Sequence, residues 1–169
     1  MIDTVVFDVD GVFTNGGFYY SAEGKVFKRF GAHDSDGIKL LRKLGIKIFS
    51  ISADKRGFDI TKRRMDDLKI PLTYVSEESR FQYIKNNFDR KSTGFVGDGM
   101  HDAAVLSYVE FGLAPANACF LAKQSAQFVT ESEGGAGAVF EAALEIARRY
   151  YPDELQAYQE ELGAYEARI

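Results

Sequence analysis

Two aspartates separated by one residue follow the first apolar run of the chain. Thr4–Phe7 is rich in β-branched residues and is typical of a buried strand, and Asp8 and Asp10 come directly after it. Alternation along an extended chain puts both carboxylates on the same side, where they repel each other and lose hydration. Gly11 allows a tight turn at this point. The pattern therefore indicates a cation between the two carboxylates.

A second acidic segment has the same relation to a second apolar run. Asp98 follows the predicted strand Thr93–Val96, and Asp102 would open the next helix. The carboxyl ends of parallel strands meet at one edge of a sheet, which is where open α/β sheets bind ligands. Several carboxylates at such an edge suit a hard, oxygen-seeking ion such as Mg²⁺. The alternative is that each aspartate is a turn or helix-capping residue, which is common for aspartates taken singly.

The elements that must position these residues alternate between strands and helices. Short apolar runs are separated by amphipathic segments of about ten residues, which predicts βαβ units and a parallel sheet with helices on both faces. The other predicted strands are Lys47–Ser52, Thr73–Val75 and Gln127–Val129. The predicted helices are Asp36–Leu44, Phe58–Leu68, Arg80–Phe88, Ala103–Val109 and Ala136–Tyr151.

Two segments depart from this alternation. Gly16–Phe30 holds two alternating, aromatic-rich runs around Ala22-Glu23-Gly24, which predicts a β-hairpin directly after the first strand. This hairpin and one helix leave no room before Ser52 for an inserted cap domain. We expect one domain over residues 1–151 and a charged, helical tail over residues 152–169.

The composition narrows the class of protein. The chain has 169 residues, of which 46% are hydrophobic and 27% charged, as is ordinary for a globular domain. The net charge of −4 disfavours a nucleic-acid or anionic-membrane binder. The single cysteine, Cys119, has no disulfide partner in the chain and is expected to be a small buried apolar side chain. No signal peptide or membrane-spanning run is recognised, so we expect a cytoplasmic protein.

The aspartate motifs resemble those of a known superfamily. DVDGV after one strand and GDGMHD after another are similar to the first and last motifs of the haloacid dehalogenase superfamily of phosphotransferases. The stretches DVDGVFTNGGFYY, FKRFGAHDSDGIKLLRKLGIK and EGGAGAVFEAALEIA resemble its capless sugar-acid phosphatases, which include 3-deoxy-manno-octulosonate 8-phosphate and nonulosonate 9-phosphate phosphatases. The resemblance covers roughly residues 1–150 and implies a modified Rossmann-like core.

The resemblance also implies roles for the acidic residues. Asp8 matches the nucleophile that forms an aspartyl-phosphate, and Asp10 matches the general acid and base. Mg²⁺ would be held by Asp8, Asp98 and the main-chain carbonyl of Asp10. Asp102 would orient the metal's surroundings or a basic residue. Ser52, at the end of its strand, would donate a hydrogen bond to the phosphoryl group.

A basic residue is expected at the start of the helix that precedes the strand Thr93–Val96. Arg80 stands there, where close relatives usually have lysine, and its guanidinium could hold phosphate through two hydrogen bonds. The alternative for Arg80 is an ion pair with Glu77 or Glu78 at the helix start. The alternative for Ser52 is a plain helix cap.

One position near the predicted site differs in charge from the close relatives. Asp54 stands where they commonly have an arginine, so we expect Lys55 or Arg56 to supply positive charge to the substrate. His33 and His101 also fall near the site, but isolated histidines are more often surface or helix-start residues and receive no catalytic role.

The predicted function is Mg²⁺-dependent hydrolysis of a phosphomonoester. The resemblance implies a small phosphorylated sugar or sugar acid as substrate, of the 3-deoxy-octulosonate 8-phosphate or nonulosonate 9-phosphate type, in lipopolysaccharide or other cell-surface carbohydrate synthesis. Three alternatives stay open: a catalytically weak partner of a sugar-activating enzyme, a phosphotransferase or phosphatase for a non-sugar ester, and a two-component receiver domain. The receiver is disfavoured by the DxDG motif and the hairpin.

An active site without a cap domain is open to solvent unless another chain covers it, and the aromatic residues of the hairpin are candidates for such an interface. Relatives of this kind form homotetramers in which neighbouring chains cover each site. The hairpin aromatics would otherwise leave a large exposed patch, which is typical of an interface; they are Phe18, Tyr19, Tyr20, Phe27 and Phe30. The alternative is that these side chains pack on their own domain.

Overall fold

The centre of the protein is one sheet of short, buried strands. The computed structural model of the protein describes residues 1–166. The strands of this sheet are β1 (Thr4–Asp8), β4 (Lys47–Ser52), β5 (Leu72–Tyr74), β6 (Thr93–Val96), β7 (Phe111–Ala114) and β8 (Phe128–Val129). All neighbouring pairs are parallel and the order is β5-β4-β1-β6-β7-β8, so β1 lies between β4 and β6.

Helices cover both faces of this sheet. They are α1 (Asp34–Lys43), α2 (Phe58–Asp67), α3 (Arg80–Asn87), α4 (Ala103–Tyr108), α5 (Phe120–Ser125), α6 (Ala138–Tyr150) and α7 (Pro152–Glu166). Along β1, Val5 and Phe7 belong to a core shared with α1 and α6, whereas Val6 belongs to a core shared with α3, α4 and α5. The alternating side chains of a strand buried on both faces explain why Thr4–Phe7 is apolar at nearly every position.

The hairpin lies outside the six-stranded sheet. It consists of β2 (Tyr19–Ser21) and β3 (Gly24–Phe27), which pair antiparallel, with an isolated bridge between Thr14 and Phe30. Within the described residues, only this hairpin and α1 lie between β1 and β4. The predicted α/β fold with a hairpin after β1 and without a cap is therefore confirmed.

Two elements and one side chain differ from the sequence-based expectations. The strand β7 and the helix α5 were not predicted, because each is short and Gly112 in β7 is a residue that disfavours strands. Cys119 is exposed rather than buried, so that prediction was wrong. The residue directly precedes α5, where its backbone N–H donates to the Asp98 carbonyl at 2.8 Å.

The predicted tail is helical over the part that the structure describes. Its helix α7 packs Leu155 into the core, and Lys43 of α1 contacts Glu161 at 2.8 Å. Residues 167–169 of the predicted tail lie outside the described residues. None of the helices in the described part of the chain has the length and apolarity needed to cross a bilayer.

Candidate active site

Three aspartates meet where β1 and β6 end. Asp8 is the last residue of β1, Asp98 follows β6, and Asp102 ends a short 3₁₀ turn that precedes α4. One carboxylate oxygen from each of the three lies within 4.8 Å of the others. β1 and β6 are neighbours in the sheet, so their carboxyl ends bring Asp8 and Asp98 together as predicted. Asp102, predicted to orient the metal's surroundings or a basic residue, lies beside them and accepts a hydrogen bond from Arg80 at 2.5 Å.

The turn after β1 leaves space for the Asp98 carboxylate. Gly11 has a φ of +88°, in the left-handed region that favours glycine. A Cβ at this position would lie 2.0 Å from the Asp98 Oδ2. The Gly11 N–H donates to the Thr14 Oγ1 at 3.0 Å, which holds the turn closed. The glycine of the DxDG motif is thus required both by the backbone conformation and by the carboxylate beside it.

Arg80 completes this group, which we call the carboxylate cluster: Asp8, Asp98, Asp102 and Arg80. The Arg80 side chain is buried, donates to the Asp102 Oδ1 at 2.5 Å and lies 3.2 Å from the Asp8 Oδ1. The alternative ion pair with Glu77 or Glu78 was therefore wrong. Glu77 instead lies 3.4 Å from the His101 Nε2, while His33 is exposed and 4.0 Å from Asp36.

The carboxylate cluster has more negative than positive groups. Burial raises the pKa of Asp98 to about 7, and the charge of Asp102 adds to the increase. Burial also raises the pKa of Asp8 well above its usual value, although Arg80 opposes that shift. The Asp8 Oδ1 is buried and accepts no hydrogen bond. These residues fit a hard divalent cation, which would supply the missing positive charge to oxygen ligands.

The Asp10 carboxylate lies outside the group of Asp8, Asp98 and Asp102, so the cation site predicted between the Asp8 and Asp10 carboxylates is instead formed by Asp8 with Asp98 and Asp102. The Ser52 hydroxyl, fully buried, donates to the Asp10 Oδ2 at 2.9 Å and accepts from the Asp54 N–H at 3.2 Å. Ser52 does not cap α2, which begins at Phe58 after Gly57, so the capping alternative was wrong. The structure brings Ser52 and Asp10 together at the ends of the neighbouring strands β4 and β1.

Two lysines of the hairpin segment also reach this place. The Lys28 Nζ lies 2.6 Å from the Asp10 Oδ1, 2.8 Å from the Asp54 Oδ2 and 2.6 Å from the Thr61 Oγ1. The Lys25 Nζ lies 2.5 Å from the Asp54 Oδ2. Their side chains are only 1% and 4% exposed, respectively. We call Asp10, Asp54, Lys25 and Lys28 the lysine–aspartate cluster.

Neither lysine is among the residues that the sequence predicts for the site. The sequence feature that could have indicated them is Asp54, because a carboxylate beside the predicted site needs a cationic partner. Burial would raise the pKa of Asp54, but hydrogen bonds from Lys25 and Lys28 outweigh it and lower the pKa to about 2. Asp54 is therefore a fixed anion held by the hairpin.

The predicted substrate contacts Lys55 and Arg56 lie elsewhere. Both residues are exposed, and Lys55 borders a separate hollow beside Phe58 and Tyr74. The cleft over the two clusters has a volume of about 450 Å³ and receives a lysine from the hairpin instead. It is lined by Asp8, Asp10, Gly16, Phe18, Lys25, Ala53, Asp54, Glu77, Arg80, Asp98 and Gly99.

The fold and these contacts define the class of protein. A parallel α/β sheet with aspartates at the ends of β1 and β6 and a hairpin in place of a cap is the arrangement of capless hydrolases in the haloacid dehalogenase superfamily. A comparison with family models gives no match. Comparison with individual proteins gives clear relatives, which narrow the class.

The chain is 32% identical over 142 residues to the 3-deoxy-D-manno-octulosonate 8-phosphate phosphatase KdsC of Haemophilus influenzae, covering 81% of this chain and 78% of the relative. The cobalt-bound structure of the Haemophilus influenzae phosphatase YrbI is similar with a TM-score of 0.75 and 30% identity, covering 87% of this chain and 88% of that one. The structure of the 3-deoxy-D-manno-octulosonate 8-phosphate phosphatase from Yersinia pestis is similar with a TM-score of 0.76 and 27% identity, covering 86% of this chain and 80% of that one.

The chain belongs to the KdsC family of haloacid dehalogenase phosphatases. It is accordingly an enzyme, a hydrolase of phosphomonoesters.

Proposed function

We propose that this protein is a Mg²⁺-dependent phosphatase of a small phosphorylated sugar or sugar acid, and that it acts through an aspartyl-phosphate on Asp8. The observation that carries the proposal is the Asp8 carboxylate. Asp8 lines the cleft, and its Oδ1 is buried without a hydrogen-bond donor, 3.2 Å from the Arg80 guanidinium. The relatives named for 3-deoxy-D-manno-octulosonate 8-phosphate support the substrate class, and the cobalt-bound relative supports the metal.

The metal would be held by Asp8 and Asp98, together with the main-chain carbonyl of Asp10 as predicted, with Asp102 beside them. A bound Mg²⁺ supplies positive charge that screens the Asp8 carboxylate from the incoming phosphate. The residues present fit this ion because three carboxylates face one guanidinium and one Asp8 oxygen has no donor.

In the first step, an Asp8 oxygen attacks phosphorus, and the bond between phosphorus and the sugar oxygen breaks. Asp10 gives its proton to the departing sugar oxygen, so that an alcohol leaves. In the second step, Asp10 takes a proton from water while the water oxygen attacks phosphorus. The bond from Asp8 to phosphorus then breaks, and inorganic phosphate leaves with Asp8 restored.

Arg80 and Ser52 would bind the phosphoryl oxygens. Arg80 is suited to this because Asp102 fixes its guanidinium 3.2 Å from the nucleophile. The Ser52 hydroxyl donates to Asp10 here and would turn to the phosphoryl group when substrate binds. Lys55 and Arg56 have no part in the proposal, since both are exposed outside the cleft.

The test is phosphate release from sugar-acid phosphates, hexose phosphates and a non-sugar ester, with Mg²⁺ and with EDTA. We expect turnover with Mg²⁺ on a sugar or sugar-acid ester, none with EDTA, and a loss of at least about 1,000-fold in Asp8→Asn. Asp3→Asn, which changes a carboxylate outside the cleft, is the control and should keep wild-type turnover. Folded, Mg²⁺-loaded protein that releases phosphate from no ester would contradict the proposal and favour the catalytically weak partner.

We also propose a homotetramer in which neighbouring chains cover the open cleft. Phe18, Tyr20 and Phe27 are 59%, 57% and 69% exposed in the single chain and Tyr19 is 43% exposed, so the alternative that these four pack on their own domain is not supported. Phe30 does pack against the core of its own chain, as that alternative has it. Light scattering after gel filtration should give four times 18.9 kDa for the wild type. Phe27→Ser should give a smaller mass, whereas Tyr74→Ser, on the edge strand β5 of the main sheet, should not. A wild-type monomer would contradict the assembly.

A further inference from the structure

The Lys28 ammonium is buried and has no free donor. Its side chain is 1% exposed, and its three acceptors are the Asp10 Oδ1, the Asp54 Oδ2 and the Thr61 Oγ1, at 2.6, 2.8 and 2.6 Å. An ammonium has three N–H groups, and each has a partner here. Lys28 does not line the cleft, unlike Lys25. A role in binding substrate is therefore not what its contacts indicate.

The three acceptors belong to three different parts of the site. Asp10 lies in the turn after β1, Asp54 in the loop after β4, and Thr61 in α2. Lys28 itself follows β3, so one side chain joins the hairpin to all three. The space around it is closed, because a Cβ on Gly57 would lie 2.3 Å from the Asp54 Oδ2 and 2.7 Å from the Lys28 Cε. The contact is thus tightly packed as well as charged.

Both carboxylate oxygens of Asp10 are held from different directions. Lys28 contacts the Oδ1 at 2.6 Å, and the Ser52 hydroxyl donates to the Oδ2 at 2.9 Å. A carboxylate can rotate about its Cα–Cβ and Cβ–Cγ bonds, and two partners on its two oxygens remove that freedom. When Ser52 turns to the phosphoryl group, Lys28 is the contact that remains on Asp10.

We propose that Lys28 is a positioning residue for the general acid, and that it fixes the Asp10 carboxyl so that the Oδ2 faces the departing oxygen of the substrate. This inference rests on the proposed function of Asp10. The hairpin would then contribute to the chemical step of its own chain, through Lys28, in addition to any contact with a neighbouring chain. Asp54 would serve the same purpose one contact further away, by holding Lys28 and Lys25 in place.

A comparison of leaving groups tests this role. Proton donation matters for a sugar alcohol, which leaves poorly as an alkoxide, and matters little for 4-nitrophenolate, which leaves without a proton. We expect Lys28→Met to lower kcat/KM at least about tenfold on the sugar phosphate that the wild type hydrolyses fastest, because kcat/KM reports the steps up to departure of the sugar oxygen, in which Asp10 donates its proton. On 4-nitrophenyl phosphate, the kcat/KM of the same variant should stay within about threefold of the wild type, since kcat/KM excludes the later attack of water on the aspartyl-phosphate, in which Asp10 acts as the base for both esters.

The controls separate a positioning role from a structural one. Lys62→Met removes an exposed lysine of α2 that contacts Asp66, and it should leave kcat/KM unchanged on both the sugar phosphate and 4-nitrophenyl phosphate. Thr61→Val removes one acceptor of Lys28 while keeping its charge, and it serves if Lys28→Met does not fold. It should lower kcat/KM about two- to fivefold more on the sugar phosphate than on 4-nitrophenyl phosphate.

Equal losses on the two esters in both variants would overturn the positioning role while leaving the proposed function intact. Wild-type protein that releases phosphate from neither ester would overturn the proposed function, and this inference with it.

Discussion

The carboxylate cluster and the lysine–aspartate cluster are neighbours in one cleft, but the first has an excess of negative charge and the second is balanced. The first has three carboxylates and one guanidinium. The second has two carboxylates and two ammonium groups. The charged groups of both clusters are largely buried, and an unpaired charge is energetically costly in a buried place. The first is therefore incomplete without a cation, and the second is complete within the chain.

Two aspartates, one from each cluster, show the difference in charge balance directly. Burial together with Asp102 raises the pKa of Asp98 to about 7, whereas Lys25 and Lys28 outweigh burial and lower the pKa of Asp54 to about 2. Burial acts in the same direction on both carboxylates, so the neighbours decide the sign. A buried acid with a raised pKa indicates a place for a cation, and one with a lowered pKa indicates a fixed scaffold.

The largest effect is expected from removing charge in the carboxylate cluster. Asp98→Asn should lower phosphatase activity by more than about 100-fold, because it removes a predicted metal ligand. The same change should stabilise the metal-free protein. Because the folded-state pKa of Asp98 is raised from 3.8 to about 7, stability is lost as pH rises between these values. Thermal unfolding in EDTA at pH 8 should therefore occur about 5 °C or more higher in Asp98→Asn.

The pH dependence provides the internal control for this prediction. The stabilising effect of Asp98→Asn should shrink as pH falls from 8 toward 4, since the wild-type carboxyl then becomes neutral as well. A variant that unfolds below the wild-type temperature in EDTA at pH 8 would contradict the charge excess assigned to the carboxylate cluster.

A smaller effect of opposite sign is expected in the lysine–aspartate cluster. Asp54→Asn should lower the free energy of unfolding by about 2 kcal/mol at pH 7, because it removes the anion between Lys25 and Lys28. The folded-state pKa of Asp54 is about 2 against a usual 3.8, so its contribution is present above pH 4 and lost as pH falls toward 2. Urea denaturation of the variant and the wild type between pH 7 and pH 2 measures the difference.

The matched control is Asp67→Asn at the end of α2. Asp67 lies 3.7 Å from Arg63, and both side chains are exposed, so its loss should change the free energy of unfolding by less than about 0.5 kcal/mol. An Asp54 variant as stable as the wild type at pH 7 would show that the two lysines gain nothing from this carboxylate.

The two clusters also differ in how much of them could be predicted from sequence. Asp8 and Asp98 belong to short motifs after apolar strands, and the parallel order of β1 and β6 brings them together. Lys28 reaches Asp10, 18 positions earlier, and Thr61, 33 positions later, through the path of a hairpin. No local periodicity encodes such contacts. The hairpin was predicted correctly, and its aromatic residues indicated an interface, but nothing in its sequence pattern indicated that its lysines reach the site.

The secondary-structure elements also divide into those that could be predicted from sequence and those that could not. Strands rich in β-branched or aromatic residues, such as Thr4–Asp8 and Lys47–Ser52, were predicted to within one residue. The four residues of Phe111–Ala114 were not, because their strand conformation depends on burial against β6 and α4 rather than on their own propensity. Lys55 and Arg56 were predicted as substrate contacts because they follow Asp54 in sequence, whereas the lysine that lines the cleft beside Asp54 is Lys25 of the hairpin.

The most direct test of the account is a calorimetric titration of Mg²⁺ into the metal-free wild type, Asp98→Asn and Asp54→Asn. The charge balance of the two clusters predicts one Mg²⁺ per chain in the wild type and in Asp54→Asn, and no binding at the same concentrations in Asp98→Asn. Wild-type binding in Asp98→Asn, or loss of binding in Asp54→Asn alone, would contradict the assignment of the cation to the carboxylate cluster.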